Sequence, residues 1–229
     1  MARRIPEDRF DDLVRGATRV FIEAGYHRTQ MADVAKAVGV AKGTLYGYVE
    51  SKDALFALCL ANADANEPIP LPDPLPLPAP PLGEIARSVA ESVGQQVRLP
   101  ALEAAMTAAV TVDVVAEARG IVGELFDLMY ANRFGIKLLD RCMDHPEIAQ
   151  LWQTHGREDV RAAMEAYLRQ RSASGGFRAF EDTRLAARMV IEICTTWAVH
   201  IHWDRAPERY DPERARSNAI EFAVRGLLA

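Results

Sequence analysis

The chain has 229 residues and a mass of 25.3 kDa, enough for one large domain or two smaller ones around a buried core. Its 49% hydrophobic and 26% charged residues exclude a disordered chain and a membrane-embedded one. The basic start has no apolar segment behind it, and the three cysteines are too few and too widely spaced for a disulfide framework. We therefore expect a folded cytoplasmic protein without membrane contact and without a cofactor.

The net charge of -5 is unevenly distributed along the chain. Residues 1–52 carry nine Lys and Arg against seven Asp and Glu, which gives +2. The remaining 18 basic and 25 acidic residues give -7 for residues 53–229, and the two parts sum to -5. A basic N-terminal part is compatible with a nucleic-acid partner, but a solvated helical face explains so small an excess equally well.

Apolar residues recur every three or four positions from the first helix onward, which predicts an all-α fold. Helix 1 is expected over about Asp8 to Ala24, followed by two short helices over Met31 to Val38 and Lys42 to Val49. A fourth helix should begin after Ser51, a suitable N-cap, and end near Asn66.

The next segment, Pro68 to Pro81, holds 8 of the 13 prolines and cannot be helical. Polyproline II is its expected conformation. We expect an insertion lying over the surface, with recruitment of a proline-binding partner as the alternative. Such a loose connection could transmit no force, so coupling to the rest of the chain should pass through helix 4.

The C-terminal part should consist of further helices separated by proline and glycine breaks. The expected helices span Gly83 to Leu99, Ala101 to Arg119, Val122 to Met143, Pro146 to Arg171, Asp182 to Asp204 and Asp211 to Leu228. Two domains follow: residues 1–52, and residues 53–229 with helix 4 as connector and the Pro-rich insertion 68–81.

The two short helices have the features of a helix-turn-helix. Ala35 is small enough for a close helix crossing, and Gly39 tolerates a positive φ in the turn. Val34 and Leu45 should face helix 1, leaving the opposite side of the second helix free for a DNA groove. An ordinary helical hairpin remains the alternative. The exposed side would offer cations and hydroxyls suited to phosphate oxygens, at Lys42, Thr44, Tyr46, Tyr48 and Lys52.

The stretch from Phe21 to Leu55 resembles the tetracycline-repressor (TetR/AcrR) family of bacterial transcriptional regulators. The matching residues are Gly25-Tyr26-His27-Arg28-Thr29, Asp33-Val34-Ala35, Gly39-Val40, Lys42-Gly43-Thr44-Leu45-Tyr46-Gly47-Tyr48 and Ser51-Lys52-Asp53-Ala54-Leu55. Beyond about residue 60 the likeness is limited to length, helicity and the closing helices.

The resemblance implies which residues bind DNA. Lys42, Gly43, Thr44 and Tyr46 would lie on the recognition helix, and phosphate would be bound by Thr29, Gln30, Tyr48 and Lys52. The sequence departs from the family at Gln30, Ala41 and Val49, where the family usually has Ser or Thr, Ser, and Phe. Ala32 and Gly47 replace longer side chains that often contact bases.

In the larger part, aromatic and Met residues could line a ligand cavity, although such residues at helical spacing are more often ordinary core. The candidates are Met106, Phe126, Met129, Arg133, Trp152 and Trp197, with Met143 and Trp203 as further possibilities. Arg133 belongs to a charged group with Lys137, Asp140 and Arg141, for which pairing at the surface is the alternative. A metal site at Cys142, His145 and His155 fits no known spacing well.

The family places a dimer interface on its last two helices, and both carry apolar stripes here. The candidates are Val190, Ile193, Trp197, Ile220 and Val224, with burial within one chain as the alternative.

No catalytic motif is present, so the sequence predicts a non-enzyme. We expect a homodimeric, ligand-responsive regulator, a repressor that binds a double-stranded operator and releases it on binding a small apolar or amphipathic molecule. The alternative is a helical ligand-binding or scaffold protein whose helix-turn-helix is purely structural.

Overall fold

The computed structural model describes residues 7–108, 113–154, 158–204, 206 and 209–228, apart from the side chains of residues 7, 8, 95, 96, 150, 152–154 and 158. Over this range the secondary structure is helical, with one isolated backbone bridge and no named strand, which confirms the all-α prediction. The α-helices are α1 (Glu7–Ala24), α2 (Met31–Ala37), α3 (Lys42–Tyr46), α4 (Lys52–Asn62), α5 (Glu84–Gln96), α6 (Pro100–Thr107), α7 (Val114–Ala131), α8 (Arg133–Arg141), α9 (Pro146–Thr154), α10 (Glu158–Ala173), α11 (Thr183–Ala198) and α12 (Pro212–Arg225); a 3-10 helix spans His200–Trp203.

The chain folds into two compact units, each built from two stretches of sequence. Unit 1 comprises Met1–Val93 and Phe134–Thr154, and unit 2 comprises Gly94–Arg133 and His155–Ala229. The boundary expected after Lys52 falls inside unit 1. The helix-turn-helix motif ends there, but long-range bonds described below join it to residues 134–154.

In unit 1, α1 packs against α2 and α4. The apolar stripe expected on α1 is buried, with Phe10, Leu13 and Phe21 among its largest side chains. Phe21 lies 5.1 Å from Phe56 of α4, ring centroid to centroid. Aromatic rings bury a large apolar surface, so this pair helps to hold the two helices together. Ser51 caps α4 as predicted, accepting the Ala54 N–H at 3.0 Å.

The Pro-rich segment 68–81 belongs to unit 1 and is bonded to other parts of that unit. Ile69 is buried, and Leu77 exchanges two backbone hydrogen bonds with Tyr48 and Glu50. The expectation of a loose connection is therefore wrong. The non-proline residues between the prolines retain their N–H groups, and three of these, at Ile69, Leu77 and Ala79, donate to unit 1.

In unit 2, α7 packs against α6, α11 and α12, and α10 packs against α6 and α11. The predicted break at Gly120 is wrong, because α7 runs through it. A glycine inside a helix costs about 1 kcal/mol, which burial of Ala118, Ile121 and Val122 around it can offset. The helix expected over Val122 to Met143 is instead interrupted at Asn132, where φ is -106° and ψ is 24°.

The helix expected over Pro146 to Arg171 is also divided, into α9 and α10. Residues 155–157 between them lie outside the described range. Among the described helices, none combines the length and the apolar character needed to cross a membrane.

Candidate functional site

The two short helices α2 and α3 form the expected helix-turn-helix within unit 1. Gly39 has a φ of 68°, the positive value predicted for the turn, and Val34 and Leu45 are fully buried. A close approach that the sequence did not suggest occurs at Gly16 of α1. A Cβ atom there would lie 2.4 Å from the Val38 side chain, so any larger residue at this position would force that side chain to move.

The outward side of α3 carries most of the residues predicted to bind DNA. Lys42, Thr44 and Tyr46 are exposed, and the Lys42 ammonium lies 5.8 Å from the Tyr46 ring centroid. Gly43 is exposed too, and a Cβ atom there would meet nothing within 4 Å. Gln30, which precedes α2, is also exposed and provides no side-chain cap for that helix.

Two of the predicted phosphate ligands are buried instead. The Thr29 hydroxyl donates to the Gly25 carbonyl at 2.7 Å, within the turn between α1 and α2. Tyr48 packs its ring 5.6 Å from that of Phe10, and burial raises the pKa of its hydroxyl. These residues are placed to support the fold of the helix-turn-helix.

Lys52, a third predicted phosphate ligand, is half-buried and holds the same turn. Its ammonium donates to the carbonyls of Tyr26 at 3.0 Å and Thr29 at 3.3 Å, and lies 4.2 Å from the centroid of the Tyr26 ring. Lys52 therefore joins the start of α4 to the connection between α1 and α2, with a cation-π contact added.

Tyr26 is a central residue of unit 1, with contacts that no sequence pattern predicted. Its hydroxyl donates to Asp53, and burial is the first cause that raises its pKa above the usual value, followed by the hydrogen bond to Asp53. The Asp144 carboxylate accepts the N–H of Tyr26 at 3.1 Å and that of His27 at 2.8 Å. Asp144 follows α8, so a residue far along the chain caps the turn before α2.

The end of α8 is bonded to the end of α1 as well. The Arg141 guanidinium donates to the carbonyls of Ile22 at 3.0 Å and Glu23 at 3.2 Å, which satisfies acceptors that α1 leaves open at its C-terminus. At the other end of α8, the Asp64 carboxylate accepts the N–H groups of Phe134 and Gly135, each at 2.8 Å. Helix α8 is thus tied at both ends to residues 22–64.

His145 is buried where these elements meet. Its ring lies 4.4 Å from that of Tyr26 and 5.3 Å from that of Phe56, and its Nε2 lies 3.8 Å from Asp53 Oδ1. Its Nδ1 accepts the Glu147 N–H at 3.3 Å and so caps α9. Burial lowers the pKa of His145, and the nearby carboxylates of Asp53, Glu147 and Asp144 oppose this only in part.

This arrangement predicts a loss of stability in mild acid. Because the folded protein binds the His145 proton less readily than the unfolded chain, whose His pKa is about 6.5, the free energy of unfolding should fall as the pH drops below that value. His145→Asn keeps an N-cap acceptor but does not titrate. Urea unfolding at pH 7.5 and 5.5 should show a smaller decrease for this variant than for the wild type; equal decreases would exclude His145 as the source.

Unit 2 contains a buried ion pair that the sequence reasoning missed. The side chain of Arg171 on α10 is 1% exposed, and its Nε and Nη2 donate to the two carboxylate oxygens of Glu117 on α7 at 2.7 and 2.9 Å. Nη2 also donates to the Ala105 carbonyl of α6 at 2.8 Å, and the Tyr167 hydroxyl donates to Glu117 at 3.0 Å. The pair joins three helices. Only its contacts reveal it, because neither residue forms part of a motif.

The residues predicted to bind a ligand differ in burial. Phe126 is buried, whereas Met106, Met129, Arg133 and Trp197 are half-buried in unit 2. Met129 accepts a hydrogen bond from Thr195, and the rings of Trp197 and Tyr210 meet edge to face at 5.1 Å. The side chain of Trp152 lies outside the described residues.

The charged group on α8 has separate partners. Lys137 pairs with Asp140 at 3.4 Å, as expected for neighbouring residues on a helix, whereas Arg133 donates to the Tyr130 carbonyl at 2.7 Å. Burial raises the pKa of the Cys142 thiol to about 12, and the thiol donates to the Phe21 carbonyl at 3.7 Å. His155 lies outside the described residues, among which no group of three metal-binding side chains occurs.

The predicted dimer residues are mostly covered within one chain. Val190, Ile220 and Val224 are buried in unit 2, and Ile193 and Trp197 are half-buried. The apolar side chains that α11 and α12 leave exposed are different ones: Leu185 at 51%, Met189 at 58% and Phe222 at 72%. The helical spacing identified the apolar side of each helix, which packs inward.

Two sequence profiles match the chain. Residues 13–59 match bacterial regulatory proteins of the tetR family, and residues 138–229 match the C-terminal domain of AefR-like transcriptional repressors. None of the curated proteins matches the sequence.

Solved structures with the same fold include the ketosteroid transcriptional regulator KstR2 of Mycobacterium tuberculosis, with a TM-score of 0.57, 14% identity and coverage of 99% of this chain and 97% of that one. SCO3833 from Streptomyces coelicolor A3, a TetR-family member, has a TM-score of 0.55, 19% identity and coverage of 95% and 91%. AibR, in complex with isovaleryl coenzyme A and operator DNA, has a TM-score of 0.51, 14% identity and coverage of 93% and 97%.

Proposed function

Because the chain belongs to the tetR family of bacterial regulatory proteins, we propose that it is a repressor that binds operator DNA through α3 and releases it when a small molecule binds. The observation that carries the DNA-binding part is the division of α3 into two sides. Leu45 is buried under the helix, while Lys42, Thr44 and Tyr46 are exposed on the other side. A helix so divided can enter a major groove without disturbing its own packing.

We assign different roles to the eight candidate DNA residues. Gln30, Lys42, Gly43, Thr44 and Tyr46 are exposed and are proposed as direct contacts, with Lys42 and Tyr46 suited to phosphate oxygens. Thr29, Tyr48 and Lys52 are proposed to act indirectly, since their polar groups or rings hold the turn before α2 and the end of α3 in place.

The test is selection of bound fragments from genomic DNA, followed by affinity measurements at several salt concentrations. Several phosphate contacts release counterions, so the logarithm of the association constant should fall linearly with that of the salt concentration. A scaffold protein with a structural helix-turn-helix would select no sequence and show no such slope.

We propose that the protein acts as a homodimer through the outward sides of α11 and α12. Leu185 and Met189 are four residues apart on α11, so they lie on one side of that helix, and Phe222 is exposed on α12. Exposed apolar side chains on two neighbouring helices are typical of an association surface. Val190, Ile220 and Val224 would support this interface from beneath.

Phe222→Asp should yield monomers at micromolar concentration, because a carboxylate placed in an apolar interface must be desolvated. Ser217→Asp, at an exposed position on another side of α12, serves as the control and should leave the dimer intact. Sedimentation velocity distinguishes the two species. A wild-type chain that is already monomeric, or a dimeric Phe222→Asp variant, would contradict this interface.

The effector is proposed to bind in unit 2, where half-buried Met106, Met129, Arg133 and Trp197 could change their surroundings without unfolding the core. An apolar or amphipathic molecule suits these side chains, and the AibR complex with isovaleryl coenzyme A makes short acyl thioesters the first probes to titrate. Phe126 and Trp152 complete the candidate set. We propose no catalytic activity and no cofactor, and a cytoplasmic location because the partner is DNA.

A further inference from the structure

The Pro-rich segment returns from the end of α4 to the connection between α3 and α4. The Leu77 N–H donates to the Tyr48 carbonyl at 2.8 Å, and the Leu77 carbonyl accepts the Glu50 N–H at 2.9 Å. Val49 and Leu77 form a parallel backbone bridge. Leu77 thus pairs through its backbone with residues 48–50, which follow the end of α3.

This pairing bears on α3 because that helix has only five residues. A helix of this length has little stability of its own, so its position depends on the contacts at its ends. Its N-cap residue, Ala41, contributes no side-chain bond, which leaves its C-terminal connection as the better fixed end. The buried side chains of Tyr48 and Val49 anchor that connection on one side, and Leu77 holds its backbone.

The segment is itself fixed at both ends. Before it reaches Leu77, the Ile69 N–H donates to Asp11 of α1 at 3.1 Å, and Arg15 of α1 donates to the Ala65 carbonyl at 3.1 Å. After Leu77, the Ala79 N–H donates to the Glu50 carboxylate at 3.3 Å. The prolines between these bonds restrict the backbone before binding, so little entropy is lost when the segment docks.

We infer that the Pro-rich segment positions the proposed DNA-binding helix α3. The main chain of Leu77 holds residues 48–50 and so fixes the angle at which α3 meets DNA. This inference rests on the proposed role of α3. The segment is not itself suited to bind DNA, because its only charged residue between Pro68 and Pro81 is Asp73. Leu77 is therefore a positioning residue that acts through Tyr48 and Glu50.

The test removes the N–H of Leu77 and, separately, its side chain. Leu77→Pro deletes the donor to Tyr48, whereas Leu77→Ala keeps it. We expect Leu77→Pro to weaken binding to the selected operator at least tenfold and to leave binding to unrelated DNA unchanged, because non-specific affinity depends on charge rather than on angle. Leu77→Ala should stay within threefold of the wild type for both DNAs. Faster hydrogen exchange of the Glu50 amide should accompany the loss in Leu77→Pro.

Equal operator affinity of Leu77→Pro and the wild type would overturn the inference, as would an equal loss for operator and unrelated DNA. If Leu77→Pro does not fold, Pro76→Gly combined with Pro78→Gly takes its place: the donor stays, the restriction of the backbone is lost, and operator affinity should still fall selectively. Unchanged affinity of that variant would overturn the inference too. A wild-type chain that selects no DNA would refute the proposed function, and the inference with it.

Discussion

Replacing Glu117 by Ala should lower the free energy of unfolding by about 3 kcal/mol, because it leaves the Arg171 guanidinium buried without its counterion. The Ala105 carbonyl would remain as an acceptor, but it is neutral and bonds one nitrogen. We place the cost at the lower end of the usual range because 16% of the Glu117 side chain reaches solvent. Urea unfolding followed by circular dichroism measures it.

Two further variants make this test specific. Arg119 lies two residues after Glu117 on α7 and forms an exposed ion pair with Glu221. Arg119→Ala breaks that pair and should leave the free energy of unfolding nearly unchanged. Combining Glu117→Leu with Arg171→Leu removes both charges and should recover most of the loss. If Glu117→Ala proves no more harmful than Arg119→Ala, the buried pair does not hold α6, α7 and α10 together.

Gly43→Ala should weaken operator binding at least tenfold, or about 1.4 kcal/mol, while leaving the folded protein equally or more stable. The position is open, so the fold accepts a methyl group, and alanine is favoured over glycine in a helix by up to about 1 kcal/mol. The same methyl group would project from the proposed DNA side of α3 and hold the helix away from the groove.

Gly120→Ala is the matched control, because a Cβ there also meets nothing within 4 Å and lies within α7 of unit 2. It should bring the same gain in thermal stability without an effect on DNA. Full operator affinity of Gly43→Ala would mean that another side of α3 meets the DNA.

The sequence predicts what local patterns determine. The stripe on α1, the Ser51 cap and the positive φ of Gly39 all follow from residues close together in the chain. The exposed side of α3 also follows, because Lys42 and Thr44 are polar and Leu45 is the apolar residue that packs inward.

The burial of Thr29 and Tyr48 could not be predicted from the sequence. Thr29 is buried because its hydroxyl bonds to Gly25 within a turn, and Tyr48 because its ring packs on Phe10 of α1. The contacts of Asp144 and Arg141 with residues 22–27 span more than a hundred positions. No hydrophobic periodicity or motif predicts contacts at that separation. Glu117 and Arg171 are 54 positions apart, and no motif predicts their pairing either. In the Pro-rich segment, composition correctly predicted the absence of a helix. Docking was not predictable, because it depends on which N–H groups remain between the prolines and where they find acceptors.

The division of unit 1 between Met1–Val93 and Phe134–Thr154 has a consequence for synthesis on the ribosome. The stretch that carries α3 emerges early, yet the carboxylate that caps Tyr26 and His27 belongs to Asp144 and is translated after all of α7. A nascent chain halted before residue 134 therefore exposes a helix-turn-helix whose α1–α2 turn lacks its cap and whose α1 lacks the Arg141 bonds. Truncated products of translation would then compete poorly for the operator, because the complete helix-turn-helix unit requires Arg141 and Asp144.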